Sequence, residues 1–179
     1  MALHVSTTRA DDYGSLQSSS LHSRTWTHKP PTLGVADTQY LLETLSAALM
    51  EAHLSDNPLE HDVVHKHCSP DFRMFSENVH ECSFPQTRNL HEHLANIKDL
   101  KEANPQWKKD CQNYSATIQE GADHAIVWFT TMGTGGPVGC STKRESISRL
   151  WWRRRETDGV WETYQQRCIR GPGNLFAQS

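Results

Sequence analysis

The stretch HAIVWFTTMGT (residues 124–134) decides the fold, together with KRESISRLWWRRR (143–155) and VWETYQQRCIRG (160–171) after it. All three runs are rich in β-branched and aromatic residues, and a Gly/Pro-rich link and the polar sequence ETDG separate them. This pattern predicts three strands of an antiparallel meander. Five consecutive apolar residues, Ala125 to Phe129, cannot all face one side of a strand, so both faces of the sheet must be covered. We expect helices on one face and a second copy of the chain on the other.

The chain before the meander predicts helices and two further strands. An apolar stripe containing Leu41, Leu45 and Leu49 predicts a helix that begins at Asp37. The order of helix, helix, strand, helix and four strands is typical of an α+β fold, with the helices packed on one face of an antiparallel sheet. The predicted helices span residues 37–54, 57–69 and 88–103, and the two additional strands span 72–77 and 107–120.

Length, charge and cysteine content limit the classes of protein to consider. The 179 residues suit one domain, which we place at 37–171, between a flexible N-terminal extension (1–36) and a C-terminal tail (172–179). No apolar run approaches the roughly 20 residues that cross a bilayer. A net charge of −3 provides no general attraction to nucleic acid or to an anionic membrane. The five cysteines have no CxxC spacing, so we expect free thiols and a cytoplasmic location.

Several runs together carry a family resemblance: PDFRMF (70–75), EANP (102–105), AIVWFTTMGT (125–134) and the pair LWWRRR and GVWETY. With the order of elements, they are similar to the SnoaL-like branch of the nuclear transport factor 2-like superfamily, including its small fungal members. The resemblance covers 37–171 and implies a cystatin-like cone, in which three N-terminal helices pack on a curved antiparallel sheet. It also implies a homodimer formed through the sheet and, as in most members, no cofactor. Members include ketosteroid isomerases, scytalone dehydratase and polyketide cyclases, besides non-catalytic binding modules.

The resemblance also suggests catalytic residues. Glu77 ends the strand after the second helix, close to where ketosteroid isomerases carry their catalytic carboxylate. A carboxylate at the rim of an apolar cavity has its pKa raised by desolvation, which suits a base at neutral pH. Ser148 stands where those isomerases carry a protonated carboxylic acid, and a serine is a weaker hydrogen-bond donor. Tyr114 and Thr131 are further candidate donors to a substrate oxygen.

Strand parity predicts which side chains of the second meander strand face the cavity. Side chains alternate between the two faces of a strand, so Leu150 and Trp152 share their face with two serines. The predicted cavity-facing set is Ser146, Ser148, Leu150 and Trp152. Arginine and tryptophan alternate on the opposite face, which we expect to contact the second copy of the chain. That set is Arg149, Trp151 and Arg153.

The other two strands of the meander provide further candidate substrate-binding residues. Trp128 is a candidate wall residue on the first strand. On the last strand, Gln165 and Arg167 share parity with Trp161, which predicts that they face the cavity. An arginine inside the cone would hold or polarise an oxyanion, whereas an arginine at the rim would form a salt bridge.

Histidines offer a different chemistry. His67 and His93 each fall within an apolar stripe, and His80 lies in the loop between them. Three converging histidines would bind a metal ion, whereas one alone would serve as a general acid or base. A buried histidine that hydrogen-bonds to a backbone carbonyl is the structural alternative for each. The pair His61 and His65 falls on the solvent side of the second helix, so we assign no metal site.

These features predict a cofactor-free isomerase, cyclase or dehydratase that acts on a hydrophobic polyketide- or terpenoid-like intermediate by general acid–base catalysis. Glu77 would be the base, Tyr114 and Ser148 the donors, and the other candidates would bind the substrate. Two alternatives stay open: a non-catalytic ligand-binding or adaptor dimer of the same fold, and a metal-dependent enzyme that uses the clustered histidines. Nucleic-acid binding is not indicated, because the chain is acidic overall and lacks a wider basic patch.

Overall fold

The structure is a computed structural model that describes residues 33–77, 87–136 and 144–170. Most of the predicted N-terminal extension and all of the predicted tail lie outside these residues. The helices are α1 (Val35–His53), α2 (Asp62–His67) and α3 (Leu90–Ala103), and a 3₁₀ turn covers Pro58–Glu60. The strands are β1 (Cys68–Glu77), β2 (Thr87–Arg88), β3 (Lys108–Ile118), β4 (His124–Thr134), β5 (Arg144–Arg154) and β6 (Trp161–Arg170). None of the described helices is long and apolar enough to span a bilayer.

The strands form one curved, open sheet in the order β2-β1-β6-β5-β4-β3. The helices pack against it, so the fold is α+β, as predicted. All the ladders are antiparallel except the one between β1 and β6, which is parallel. In this ladder the first strand of the chain lies beside the last. The short β2 was not predicted. We call the face of the sheet that the helices cover the concave face, and the other the convex face.

The core lies between α1 and the concave face. Leu42 and Leu49 of α1 are fully buried, as are Leu150 and Trp152 of β5. The indole Nε1 of Trp152 donates a hydrogen bond to Ser46 Oγ at 3.1 Å, which joins β5 to α1. Full burial of a large apolar side chain stabilises the fold by about 1.5–3 kcal/mol, so this layer fixes the position of α1 over the sheet.

The predicted second helix is interrupted and ends early. His61 has an extended backbone (φ −86°, ψ 123°) and separates the 3₁₀ turn from α2. Strand β1 begins at Cys68 rather than at Phe72, and its ladder with β6 shifts register between Cys68 and Arg73. Pro70 lies within this shift, where the missing backbone N–H of a proline is tolerated.

Helix α3 begins at Leu90, two residues later than predicted. Thr87 and Arg88 pair with β1 instead of joining the helix. The helix start is set by Asn89, whose side chain accepts a hydrogen bond from the Glu92 backbone while the Glu92 carboxylate accepts from the Asn89 backbone. This capping box satisfies two backbone N–H groups at the start of the helix.

A bulge in β6 determines which of its side chains face the helices. The ladder with β5 shifts register after Trp151, where Tyr164 is an extra residue. As a result Gln166 is fully buried on the concave face. Gln165 pairs with Trp151, and Arg167 lies over the Trp151 ring, so both are on the convex face. The predicted facing of Gln165 and Arg167 is therefore wrong, because it assumed an unbroken alternation.

Candidate functional site

A row of polar side chains crosses the concave face of β3, β4 and β5. Cys111 Sγ lies 4.0 Å from Thr131 Oγ1, which in turn lies 3.5 Å from Ser148 Oγ. Tyr114 lies beside them, with its ring stacked on that of Phe129 at 5.2 Å between centroids. Thr131 and Ser148 are buried, whereas Tyr114 and Cys111 are half-buried. We call Tyr114, Cys111, Thr131 and Ser148 the concave track; three of them were candidate site residues from the sequence.

A bulge in β3 places Tyr114 on the same face as Cys111. The ladder with β4 shifts register between Gln112 and Ser115, and Asn113 has a left-handed backbone with φ 58°. Asparagine is among the residues that adopt this conformation most readily. Tyr114 is three positions after Cys111, so on a regular strand the two would face opposite sides. The bulge therefore completes the concave track.

Burial keeps the phenol and the thiol of the track protonated. Desolvation raises the pKa of Tyr114 above its usual range, and the neighbouring Cys111 raises it further. Desolvation also raises the pKa of the Cys111 thiol, although the charge of Lys109 opposes this. At neutral pH the Tyr114 phenol is therefore uncharged, which is the state that donates a hydrogen bond to a carbonyl or to a developing oxyanion.

The concave track shares two residues with a cleft between α1 and β3. The cleft has a volume of about 810 Å³, and its walls include Cys111, Tyr114 and the apolar residues Ala48 and Met50 of α1. A volume of this order accommodates a small organic molecule. Lys109 also lines the cleft, and among the described residues no carboxylate lies within ion-pair distance of its ammonium group. Glu51, Asp110 and His61 line it as well, so the cleft combines apolar walls with two carboxylates, an imidazole, a phenol and an ammonium group.

Two buried histidines lie where the end of α1 meets α3. His53 ends α1 and His93 is on α3, and their ring centroids are 5.6 Å apart, with the Phe72 ring 6.4 Å from each. Desolvation lowers the pKa of His53 to about 3, and desolvation and the neighbouring His53 lower that of His93 well below 6.5. The charge of Lys109 also lowers the pKa of both imidazoles. His53 lines a second cleft, beside α3, that contains no residue of the concave track.

Three polar atoms that are buried near the end of α1 have no partner within the described part of the chain. They are Nδ1 of His53, Nδ1 of His93 and Oε1 of Gln166. The Gln166 amide nitrogen contacts Met50 Sδ at 3.9 Å, one helical turn from His53. Buried polar atoms of this kind are usually hydrogen-bonded to protein or to ordered water.

His53, Lys109 and Gln166 were not among the candidate site residues predicted from the sequence. His53 has a signal in hindsight, because it lies four residues after Leu49 on the buried stripe of α1. Lys109 lies two residues before Cys111 on β3 and so shares its face. Gln166 had no such signal, since its facing depends on the bulge at Tyr164.

Most other candidate residues lie in the core or on the convex face. Leu150 and Trp152 are fully buried core residues on the predicted face, and Ser146 is half-buried and accepts a hydrogen bond from the Cys168 thiol at 3.4 Å. Trp128 lies on the convex face, as do Gln165 and Arg167. The convex position of Trp128 excludes it from the cavity wall.

His67 does not join the buried pair. The Nδ1 atom of His67 lies 2.7 Å from the carbonyl oxygen of Trp161, and desolvation lowers its pKa. This is the structural role considered as the alternative for each histidine. His80 lies outside the described residues. Among those described, no three His, Cys, Asp or Glu side chains form a group that could hold a metal ion.

Glu77 is the last residue of β1, and only its backbone is described. It pairs with Ile169, which pairs with Ile147, and the Ile147 side chain is 50% exposed on the convex face. Ser76, one residue earlier, pairs with Cys168, which in turn pairs with Ser148 on β5. The ladder gives the backbone position of Glu77 alone, and its role as a base inside the cone stays a prediction.

The convex face carries a row of stacked arginines and aromatic rings. The guanidinium of Arg149 lies 4.8 Å from the ring centroid of Trp128 and 4.7 Å from that of Trp151. The guanidinium of Arg167 lies 5.0 Å from the centroid of Phe75 and 5.8 Å from that of Trp151. We call these five residues the arginine–aromatic row. Such contacts reduce the need of an arginine for an anionic partner.

Comparison with known proteins supports the fold rather than an activity. No family model and no curated protein sequence matches the chain. Solved structures do match: a CaMKII hub of S. rosetta has a TM-score of 0.57 at 14% identity, covering 79% of this chain and 100% of the other. A Caulobacter vibrioides protein with a cystatin-like fold has 0.55 at 13%, covering 78% and 92%. An NTF2-like protein of Cytophaga hutchinsonii has 0.51 at 12%, covering 78% and 100%.

The fold is that of the nuclear transport factor 2-like proteins. Identities of 12–14% support the fold alone. Within this nuclear transport factor 2-like fold, the concave track and the two buried histidines occupy the space between the sheet and the helices. Any activity must therefore be argued from these side chains.

Proposed function

We propose that the chain binds a small hydrophobic carbonyl compound in the α1–β3 cleft and catalyses its isomerisation, cyclisation or dehydration by cofactor-free general acid–base chemistry. The substrate would be a polyketide- or terpenoid-like intermediate of secondary metabolism. The observation that carries the proposal is the concave track, which begins in the wall of the α1–β3 cleft and ends at a fully buried serine. Membership of the SnoaL-like branch is part of the same proposal.

The concave track would stabilise the negative charge that develops on the substrate oxygen. Removal of a proton next to a carbonyl produces an enolate, whose oxygen carries the charge. The Tyr114 phenol donates a hydrogen bond to this oxygen, and the Lys109 ammonium attracts it from the same wall of the cleft. Thr131 and Ser148 support the donor through Cys111. In an apolar cleft these interactions are stronger than in water, which is how such a site lowers the barrier.

The sheet would serve a second purpose as a homodimer interface, as the sequence predicts. The support is the convex face, where Trp128 is 38% and Ile147 50% exposed beside the arginine–aromatic row. Aromatic residues and arginine are the types enriched in the centres of protein interfaces. A non-catalytic binding dimer is the alternative function, and it requires the same cleft but no turnover.

The test of catalysis is the exchange of the α-protons of 1-tetralone, a hydrophobic bicyclic ketone, in D₂O. The wild-type chain should accelerate the exchange, and Tyr114→Phe should slow the catalysed rate at least about 10-fold, because it removes one donor to the oxyanion and keeps the stacked ring. Tyr164→Phe on the β6 bulge is the matched control and should leave the rate unchanged. Equal rates for Tyr114→Phe and wild type, measured by NMR, would exclude the phenol from the chemistry.

A further inference from the structure

The proposed reaction needs a group that accepts a proton, and the concave track has none. Burial keeps the Tyr114 phenol and the Cys111 thiol protonated, and the other two members are hydroxyl side chains. The acceptor is therefore to be sought among the other side chains that line the α1–β3 cleft. Carboxylates and imidazoles are the side-chain groups that most often act as bases in enzymes. Those that line the cleft belong to Glu51, Asp110 and His61.

The positions of these three residues differ. Cys111 faces the concave side of β3, so the preceding Asp110 alternates to the convex face, away from α1. His61 comes from the start of α2, whereas the two walls that face each other across the cleft are α1 and β3. Glu51 lies on α1, across the cleft from the phenol and the ammonium group of β3.

We propose that the Glu51 carboxylate is the proton acceptor of the reaction and takes the α-proton of a ketone that lies between α1 and β3. This inference rests on the proposed function. Its basis is the face that α1 presents to the cleft. Ala47 and Ala48 precede Glu51 by four and three residues, so they share its face of the helix, and Ala52 lines the cleft beside it. These side chains are single methyl groups, so Glu51 projects beyond them.

Glu51 has no structural role in the described part of the chain. Its carboxylate forms no ion pair there, and Lys109 on the opposite wall is not within ion-pair distance. Glu51 also lies in the last turn of α1, where the helix carbonyl groups carry partial negative charge and disfavour an anion. A carboxylate that neither stabilises its helix nor pairs with a cation is available to a ligand.

The proton-transfer step balances without a cofactor. The substrate C–H bond next to the carbonyl breaks, its proton forms an O–H bond on Glu51, and the electron pair moves to the carbonyl oxygen. The products are a carboxylic acid and an enolate, whose oxygen accepts a hydrogen bond from the Tyr114 phenol. One negative charge has then moved from the α1 wall to the β3 wall, nearer to the Lys109 ammonium, and this attraction favours the transfer. Return of the proton to another carbon completes an isomerisation.

This arrangement defines the substrate class more narrowly. A carboxylate on one wall and a phenol and an ammonium on the other fit an uncharged ketone, with its oxygen toward β3 and its α-carbon toward α1. A ligand that carries its own carboxylate would be repelled by Glu51. Because Glu51 is exposed, the proton that it acquires exchanges with solvent before it returns to carbon. Exchange of α-protons with solvent is therefore the expected signature of this base.

The test is the 1-tetralone exchange in D₂O with carboxylate-to-amide variants. Glu51→Gln should lower the catalysed rate about 100-fold or more, because it removes the proton acceptor and keeps the size of the side chain. Glu120→Gln is the matched control, since Glu120 is exposed after the end of β3 and does not line the cleft. Its catalysed rate should equal that of the wild type.

The outcomes separate this inference from the proposed function. A wild-type chain that does not accelerate the exchange would contradict both. Acceleration that Glu51→Gln retains would overturn this inference alone. Loss of the rate in Asp110→Asn, His61→Asn or Glu77→Gln would then identify the acceptor, and Glu77 is the one that the sequence predicts.

Chemical rescue separates a missing base from a damaged fold. Glu51→Ala should fold as the wild type does, as judged by circular dichroism, because Glu51 is exposed on a helix and alanine has the highest helix propensity. Added acetate should restore part of the exchange in Glu51→Ala, with saturation, and none in Tyr114→Phe, which lacks a donor rather than an acceptor. Equal stimulation of both variants, or no stimulation of Glu51→Ala, would contradict the inference.

Discussion

Lys109→Met is expected to reduce the catalysed exchange of 1-tetralone about 10²–10³-fold, which is the usual effect of removing one preorganised electrostatic group from an oxyanion site. Lys109 lines the cleft beside Tyr114, and its ammonium has no carboxylate within ion-pair distance in the described part of the chain. The positive charge is therefore available to a ligand. Loss should appear mainly in the maximal rate, because the enolate charge exists only after proton removal.

Lys108→Met is the matched control for this prediction. Lys108 is the preceding residue of β3, is exposed and faces the convex side, so the same change of charge occurs outside the cleft. Its catalysed rate should equal that of the wild type. Lys109→Met should in addition raise the pKa of His53 and His93, because the lysine charge lowers both. Equal rates for the two variants would remove Lys109 from the proposed mechanism.

Trp128→Glu is expected to convert the proposed homodimer into a single chain. Trp128 is exposed at the centre of the convex face and stacks on Arg149. Loss of a central interface tryptophan costs about 2 kcal/mol or more, which raises the dissociation constant about 30-fold. A buried carboxylate in the same place adds a desolvation cost. Light scattering should give twice the mass of one chain for the wild type and a lower, concentration-dependent mass for the variant.

Tyr40→Glu tests whether this effect belongs to the convex face. Tyr40 is 73% exposed on α1, so the change places the same charge on an exposed aromatic position away from the sheet. Its mass should remain that of the wild type. A wild-type chain with the mass of one copy, or a Trp128→Glu variant that stays dimeric, would contradict the proposed interface.

The fold was predictable because the periodic patterns are long and agree with one another. The alternation on β5 placed Ser148, Leu150 and Trp152 on the concave face, and the ladder between β5 and β4 has no register shift. On β6 the same rule failed, because the bulge at Tyr164 inserts one residue and reverses the facing of Gln165 and Arg167. No residue type marks that bulge, since its position depends on pairing with β5.

The site was less predictable, because its residues come from distant parts of the chain. Tyr114 faces the concave side because of the bulge at Asn113. Strand parity does not reveal a bulge, so parity alone could not have placed Tyr114 on that face. His93 was selected for its place in an apolar stripe, but its partner His53 ends a helix and has no local motif. Contacts between α1 and α3 bring the pair together, and only tertiary packing creates such contacts.

The central claim is that the α1–β3 cleft binds the ketone. Its most direct test uses the methionine methyl resonances of the chain. Met50 lines the cleft, whereas the ladder register places Met132 on the opposite, convex face of the sheet. Titration of methyl-labelled protein with 1-tetralone should shift the Met50 resonance in proportion to occupancy and leave Met132 in place. A Met50 resonance that does not move at saturating ketone, or a shift confined to Met132, would contradict the account.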